Sequence, residues 1–257
     1  AGPHPENESM TIQDKENFLI DLNKGIKGKK IAIPHNFGTR VVDKEVFEIF
    51  NSNIKLFEKL GANLEEIKFD FDLNDFEQPF HKCLMHTFSF CVNEQFYNVD
   101  PKKLMPHVKN TIERGKKVMA SDYAKALAQL SEYRFKMDNI FSKFDYIVSP
   151  TVAIPPHKCN ERPNIINGKI DISTIDDKEM FEENDYDYSS WIFVLAQFTA
   201  PFNWSGNPAV SLPCGFTKSG LPIGLQLAGK KRGELSLIQA SKAFEEIKPW
   251  QQNRPSI

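Results

Sequence analysis

Apolar positions along the chain switch period several times, and each switch marks an element. The first 25 residues are polar and irregular apart from a short amphipathic stretch around Phe18, Leu19 and Leu22. Lys29-Lys30-Ile31-Ala32-Ile33 predicts a short strand stopped by Pro34, because proline cannot donate to a ladder. Val42, Val46, Ile49, Phe50, Ile54, Phe57 and Leu60 then recur every three or four residues, one face of an α-helix. Asp43 is placed to cap it, Val42 and Phe47 occupy the staple positions, and Gly61 follows as the stop. Asn63 to Phe69 reads as a second strand, so a βαβ unit with parallel strands is expected.

The middle of the chain predicts helices. Phe80, Leu84, Phe88 and Cys91 are spaced helically between about Phe76 and Phe96. Ser121 is placed to cap a long helix with a buried stripe of Tyr123, Leu127, Leu130, Arg134, Met137 and Ile140–Phe141. Asp145 to Ser149 reads as a strand ended by Pro150, and Val152 to Asp187 as a long surface excursion rich in Pro, Asn and Asp. Ala209 to Leu212, bracketed by Pro208 and Pro213, and Ile223 to Leu227 predict a hairpin turning near Lys218-Ser219-Gly220. A closing amphipathic helix uses Leu237, Ala240, Phe244 and Ile247. Parallel pairing at one end and a hairpin at the other predict a mixed β-sheet covered by helices, in a single α/β domain over residues 1–257.

Composition narrows the function. With 40% hydrophobic and 26% charged residues the chain can bury a core, and its formal net charge of -2 carries no like-charged tail. That balance speaks against nucleic acid or an anionic membrane as a partner. No run approaches a membrane span and no charged-then-apolar leader opens the chain, so the expectation is a soluble, cytoplasmic protein. Cys83, Cys91, Cys159 and Cys214 are scattered without a C-x-x-C pair, which predicts free thiols packed as small hydrophobes.

Three patterns could suggest chemistry and are set aside. Gly224-Leu-Gln-Leu-Ala-Gly229-Lys230-Lys231 approaches a phosphate-binding loop, yet it lacks the final Ser or Thr and its four inner residues alternate like a strand. His81, Cys83, His86 and Cys91 do not converge on one helix face, so no metal is expected. There is no Gly-x-Ser-x-Gly elbow, and Ser189-Ser190 has no flanking glycines to aim backbone donors at an oxyanion.

The informative segment runs Thr199-Ala-Pro-Phe-Asn-Trp-Ser-Gly206-Asn-Pro-Ala209-Val-Ser-Leu-Pro213-Cys-Gly215-Phe216, then Gly220-Leu-Pro-Ile-Gly224-Leu-Gln-Leu-Ala-Gly229. Physically it is a tightly punctuated strand entry and a buried hairpin. In order it resembles the C-terminal hallmark of the amidase signature family. Ala1-Gly-Pro-His-Pro-Glu, Gly28 to Pro34 with the following helix, and Ser121-Asp-Tyr-Ala124 through Phe144-Asp-Tyr-Ile-Val-Ser-Pro-Thr151 are similar to that family in the same order. The likeness spans nearly the whole chain and is weakest from Val152 to Asp187.

The resemblance implies an amidase signature fold and hydrolysis of a carboxamide, without cofactor or metal, by a serine nucleophile, a second serine and a lysine. Those groups lie in the family's Gly-Gly-Ser-Ser-Gly-Gly region and upstream of it. No such stretch occurs in residues 1–257, where only 13 residues are glycine. The chain therefore resembles the family's C-terminal portion. The catalytic residues are expected on a missing N-terminal portion, with none in this chain, and this chain alone is expected to be inactive. In the family this portion completes the sheet and lines the substrate channel, which makes Thr151, Trp191, Phe198, Phe202 and Asn203 the pocket candidates. For the aromatics, core packing is an equal alternative, and Thr151 and Asn203 read better as holders of backbone. The implied partners are a small-molecule amide, the N-terminal portion and a second copy in a homodimer.

Two alternatives stand beside the hydrolase. One is a degenerate, non-catalytic binding module. The other is the A subunit of a glutamine-dependent tRNA amidotransferase. That class places an acidic residue just before the equivalent of Thr199 and an arginine in the equivalent of Val108 to Ile112, whereas this chain has Ala196-Gln197-Phe198 and no arginine there. A general amidase is favoured, and the 21 phenylalanines suit an apolar or aromatic amide.

Overall fold

Five strands form one mixed sheet in the order β2-β1-β3-β5-β4 in the computed structural model, which describes residues 17–35, 42–73, 75–76, 83–94, 100, 103–104, 106–157 and 196–253. The strands are β1 (Lys30–Pro34), β2 (Asn63–Ile67), β3 (Tyr146–Pro150), β4 (Ala209–Phe216) and β5 (Pro222–Gly229). β1 pairs in parallel with β2 and β3, while β5 runs antiparallel to both β3 and β4. The expected mixed α/β sheet is present.

The helices are α1 (Lys44–Ile54), α2 (Leu56–Lys59), α3 (His86–Val92), α4 (Pro106–Gly115), α5 (Ala120–Lys143), α6 (Ala200–Ser205) and α7 (Glu234–Ile247). Strand alternation sorts them onto two faces. Tyr146, Val148, Leu225 and Leu227 point to a core shared with Val46 and Phe50 of α1, Phe57 of α2, and Leu237 and Phe244 of α7. Ile147 and Ala228 point the other way, to Tyr133, Met137 and Phe141 of α5, Phe202 and Trp204 of α6, and Phe69 to Phe76. Every residue of β3 is buried, as a central strand covered on both faces requires.

Local chemistry accounts for the elements. Asp43 caps α1, its carboxylate accepting from the backbone N–H groups of Glu45 and Val46. The staple is not formed as expected, since Phe47 is half exposed. Gly61 takes φ +84° and turns the chain into β2. Gly115 ends α4 where any Cβ would strike the carbonyl oxygen of His86 at 2.1 Å, so glycine is what lets α3 and α4 approach.

Several expectations are corrected. Ser121 does not cap α5; the helix starts one residue earlier, after an extended Met119 with no side-chain cap. The buried stripe of α5 is Ala126, Tyr133, Met137 and Phe141, while Tyr123, Leu127 and Arg134 are exposed. Phe88 also lies on the surface of α3. β4 does not stop at Pro213 but continues to Phe216 with a bulge between Pro213 and Gly215. The described residues pair β4 with β5 alone, so a residue lacking an N–H costs no ladder bond on its outer side. Among the cysteines Cys214 is buried, and burial pushes its thiol up to about 12, while Cys91 is exposed rather than packed. Cys159, His81, Ser189, Ser190 and nearly all of the Val152–Asp187 excursion lie outside the described residues. Among the described residues no helix is long and apolar enough to cross a membrane.

Asp145 ties three strands together at one end of the sheet. It accepts from the Lys30 backbone N–H at 3.0 Å and from the Lys29 ammonium at 3.1 Å, and Lys230 lies 3.9 Å away. Partial burial alone would push its carboxyl up, but these donors and charges together hold it below the usual carboxylate value. A depressed folded-state value means the stabilisation is present above the unfolded value, about 3.9, and is lost as pH falls through the folded one. Asp145→Asn is therefore expected to lower the urea midpoint at pH 7 and to approach wild type near pH 3. An equal gap at both pH values would contradict this assignment.

Candidate substrate-facing site

The segment from Ala196 to Asn207 is laid on the sheet by side chains from three directions. Pro201 sits in the first turn of α6, where a missing N–H costs nothing. Gly206, at φ +76°, closes the helix, and its N–H and that of Asn207 both donate to the Phe202 carbonyl. From β5, the buried Gln226 amide donates to the Phe198 carbonyl at 2.7 Å and to Ser149 Oγ at 3.2 Å. From α5, Tyr133 donates its hydroxyl to the Pro201 carbonyl at 3.1 Å and Arg134 Nε donates to the Trp204 carbonyl at 3.0 Å. Burial pushes the Tyr133 hydroxyl well above its ordinary value, so it stays a neutral donor. Asn207 completes the anchorage, donating to the Gly229 carbonyl at 2.8 Å while Gly229 N–H donates to the Pro208 carbonyl.

Beside this anchored helix the same sheet face carries a small polar spot. Thr151 follows β3, and its N–H donates to the Gly224 carbonyl at 3.0 Å. Its Oγ1 lies 2.7 Å from Ser211 Oγ on β4. Gly224 lies beneath the pair, where an added Cβ would stand 2.8 Å from both hydroxyl oxygens. Ser211 and Ala209 are exposed on β4, so the pair opens outward rather than into a core. Two hydroxyls with no hydrocarbon beneath them can hold or orient a polar group; they include no base to activate a nucleophile.

The sequence-predicted residues are distributed as follows. Thr151 belongs to the polar spot. Phe198 and Phe202 are buried, 3% and 2% exposed, within the α5–α6 core. Asn203 is exposed, and its amide donates to the Thr199 carbonyl at 3.4 Å, a backbone-holding bond within α6. Trp191 lies outside the described residues. Sequence reasoning missed Ser211, Gly224, Ser149 and Gln226. Their signal was strand alternation: in β5 the positions between Ile223, Leu225 and Leu227 are Gly224 and Gln226, and in β4 Ser211 precedes the buried Leu212.

An α/β layer with a helix pinned across one sheet face does not by itself fix a function, and likeness to known proteins assigns the family. The Amidase family model matches residues 2–238, and the chain belongs to that family. It is 28% identical over 287 residues to the A subunit of glutamyl-tRNA(Gln) amidotransferase from Thermodesulfovibrio yellowstonii, covering 100% of this chain and 53% of that protein. The chain thus spans about half the length of the curated relatives it matches. In fold it is similar to a bacterial aryl acylamidase of the amidase signature enzymes (TM-score 0.75, 23% identity, 99% of this chain and 52% of that one). It is equally similar to 6-aminohexanoate cyclic dimer hydrolase (TM-score 0.75, 17% identity, 99% and 52%).

Proposed function

We propose that this chain is the substrate-side portion of an amidase that hydrolyses a carboxamide C–N bond to a carboxylate and ammonia or an amine. The family match over residues 2–238 carries the proposal. Residues 1–257 contain no Gly/Ser-rich nucleophile stretch, so the serine, its partner serine and the lysine belong to polypeptide outside these residues. This portion supplies sheet, anchored helix and the Thr151–Ser211 hydroxyls, with Trp191, Phe198, Phe202 and Asn203 as further pocket candidates; the reaction needs no cofactor. Amide resonance makes attack slow unless an activated hydroxyl meets a carbonyl held against oxyanion donors, and a wall that fixes the substrate contributes the orientation.

The test is amide turnover by the purified protein that carries this chain, across alkyl and aryl carboxamides, followed by labelling with a fluorophosphonate. Turnover is expected to survive chelation and to be lost on labelling of a serine outside residues 1–257. A label within them, or turnover by the isolated 257 residues, overturns the proposal. Absence of turnover in every form favours the non-catalytic binding module. A second reading, the A subunit of an amidotransferase, is favoured by the curated relatives, which are A subunits of that enzyme. It predicts glutaminase activity only with partner chains. Against it, the residue before Thr199 is the buried, apolar Phe198.

A further inference from the structure

The end of the sheet farthest from Thr151 gathers cations on a chain whose formal net charge is -2. The segment leading into β1 carries Lys24, Lys27 and Lys29, and the turn between β5 and α7 is Lys230-Lys231-Arg232-Gly233. Asp145 brings the two segments together, since it binds Lys29 and lies beside Lys230. Between them is a cavity of about 480 Å³ lined by Lys24, Lys27, Lys29 and Arg232, with Ser236 in its wall and Asp21 as the only acid in it. Among the described residues Lys24, Lys27 and Arg232 have no ion-pair partner. Like charges held together unpaired repel one another, a cost that an anion between them removes.

A second observation is independent of charge. Among the described residues two non-glycine residues have positive φ, Asp21 at +50° and Arg232 at +60°, and both line this cavity. Left-handed backbone is unfavourable for residues with a Cβ and persists where surroundings or function hold it. Gly233 explains the tightness of the turn, since a Cβ there would meet the Lys230 carbonyl oxygen at 2.8 Å. A turn that only had to be tight would be relaxed by a second glycine at 232; arginine there adds a fork of donors instead.

We propose that this cavity binds a compact polyphosphate anion, at a site separate from the hydroxyl pair at the far end of the sheet. Its concave shape and volume suit a small multivalent ligand better than an extended strand.

Tripolyphosphate is the probe, measured by titration calorimetry on the purified protein at low and high salt. Binding is expected to weaken steeply with salt, because the cations are exposed. Arg232→Gly is expected to weaken binding by about tenfold, the scale of one charge-assisted contact. The same variant is expected to raise the unfolding midpoint by relieving the left-handed backbone, which separates loss of ligand from loss of fold. Lys27→Gln is expected to weaken binding in the same direction, whereas Lys125→Gln, on α5 beside Asp122, is expected to leave it unchanged. No binding up to about 1 mM, near the weak end of specific affinities, overturns the proposal. So does equal loss with Lys125→Gln, and so does a single-stranded oligonucleotide binding more tightly per phosphate, which would mark an extended nucleic-acid surface instead.

Discussion

Tyr133→Ala is expected to cost about 3–5 kcal/mol of unfolding free energy, the range for removing a large buried aromatic. Tyr133 is fully buried and is the ring on which α5, α6 and the Phe69–Phe76 segment converge. Its centroid lies 5.9 Å from Phe71 and 5.7 Å from Trp204, both edge-on, and 5.1 Å from Phe76. Edge-to-face pairs add to area burial, so truncation loses both terms at once. Tyr133→Phe keeps the ring and removes only the bond to the Pro201 carbonyl, for which about 1 kcal/mol is expected. The pair of variants divides packing from anchorage in urea unfolding. Should Tyr133→Ala cost no more than Tyr133→Phe, the aromatic cluster would not be what holds α6 to the sheet. If the protein has the proposed amidase activity, Tyr133→Ala is expected to depress turnover by displacing α6, and Tyr133→Phe to leave it near wild type.

The helix that Tyr133 anchors also shows what was legible in the sequence. α6 itself, six residues long, reads in the sequence only as the entry to a strand, but its flanks, Gly after the last turn and Pro before a strand, encode backbone geometry directly, and the β4–β5 hairpin follows from them. The α1 helix was legible for the same reason, because Asp43 both caps and phases it. The α5 stripe was not. Apolar residues occur around most of that 24-residue helix, so its period is readable but its phase is set by what it packs against. The stripe through Ala126, Tyr133, Met137 and Phe141 is buried, and Tyr123 and Leu127 are exposed. Abundant phenylalanine suggested an aromatic substrate, yet ten of the 21 are buried in the cores, where packing accounts for them. The polar spot was half legible. Thr151 follows a strand end and is visible locally, whereas Ser211 and Gly224 acquire meaning only through the register that sets three strands side by side.

Gly224→Ala tests that register and the proposed role of the spot together. The new Cβ would approach Thr151 Oγ1 and Ser211 Oγ to 2.8 Å and Thr151 Cβ to 3.2 Å, and real Cβ atoms do not sit so close to such neighbours. Ser211 can relieve its contact by changing rotamer on an exposed strand, but Thr151 is β-branched and tied by its own N–H to the Gly224 carbonyl. The expected loss is about 1–3 kcal/mol, the range for forced overpacking. Ser211→Ala alone removes an exposed hydroxyl and is expected to cost under about 0.5 kcal/mol. Combined with Gly224→Ala it is expected to recover part of the loss, because one of the two clashing oxygens is gone, and a cycle of the four proteins measures that coupling. Strict additivity would mean that the hydroxyls do not close over Gly224. The kinetic readout is separate from stability. If the protein is the proposed amidase and the spot orients its substrate, Ser211→Ala raises KM while the fold is intact, whereas a purely structural spot moves the unfolding midpoint of Gly224→Ala and leaves the KM of Ser211→Ala where it was.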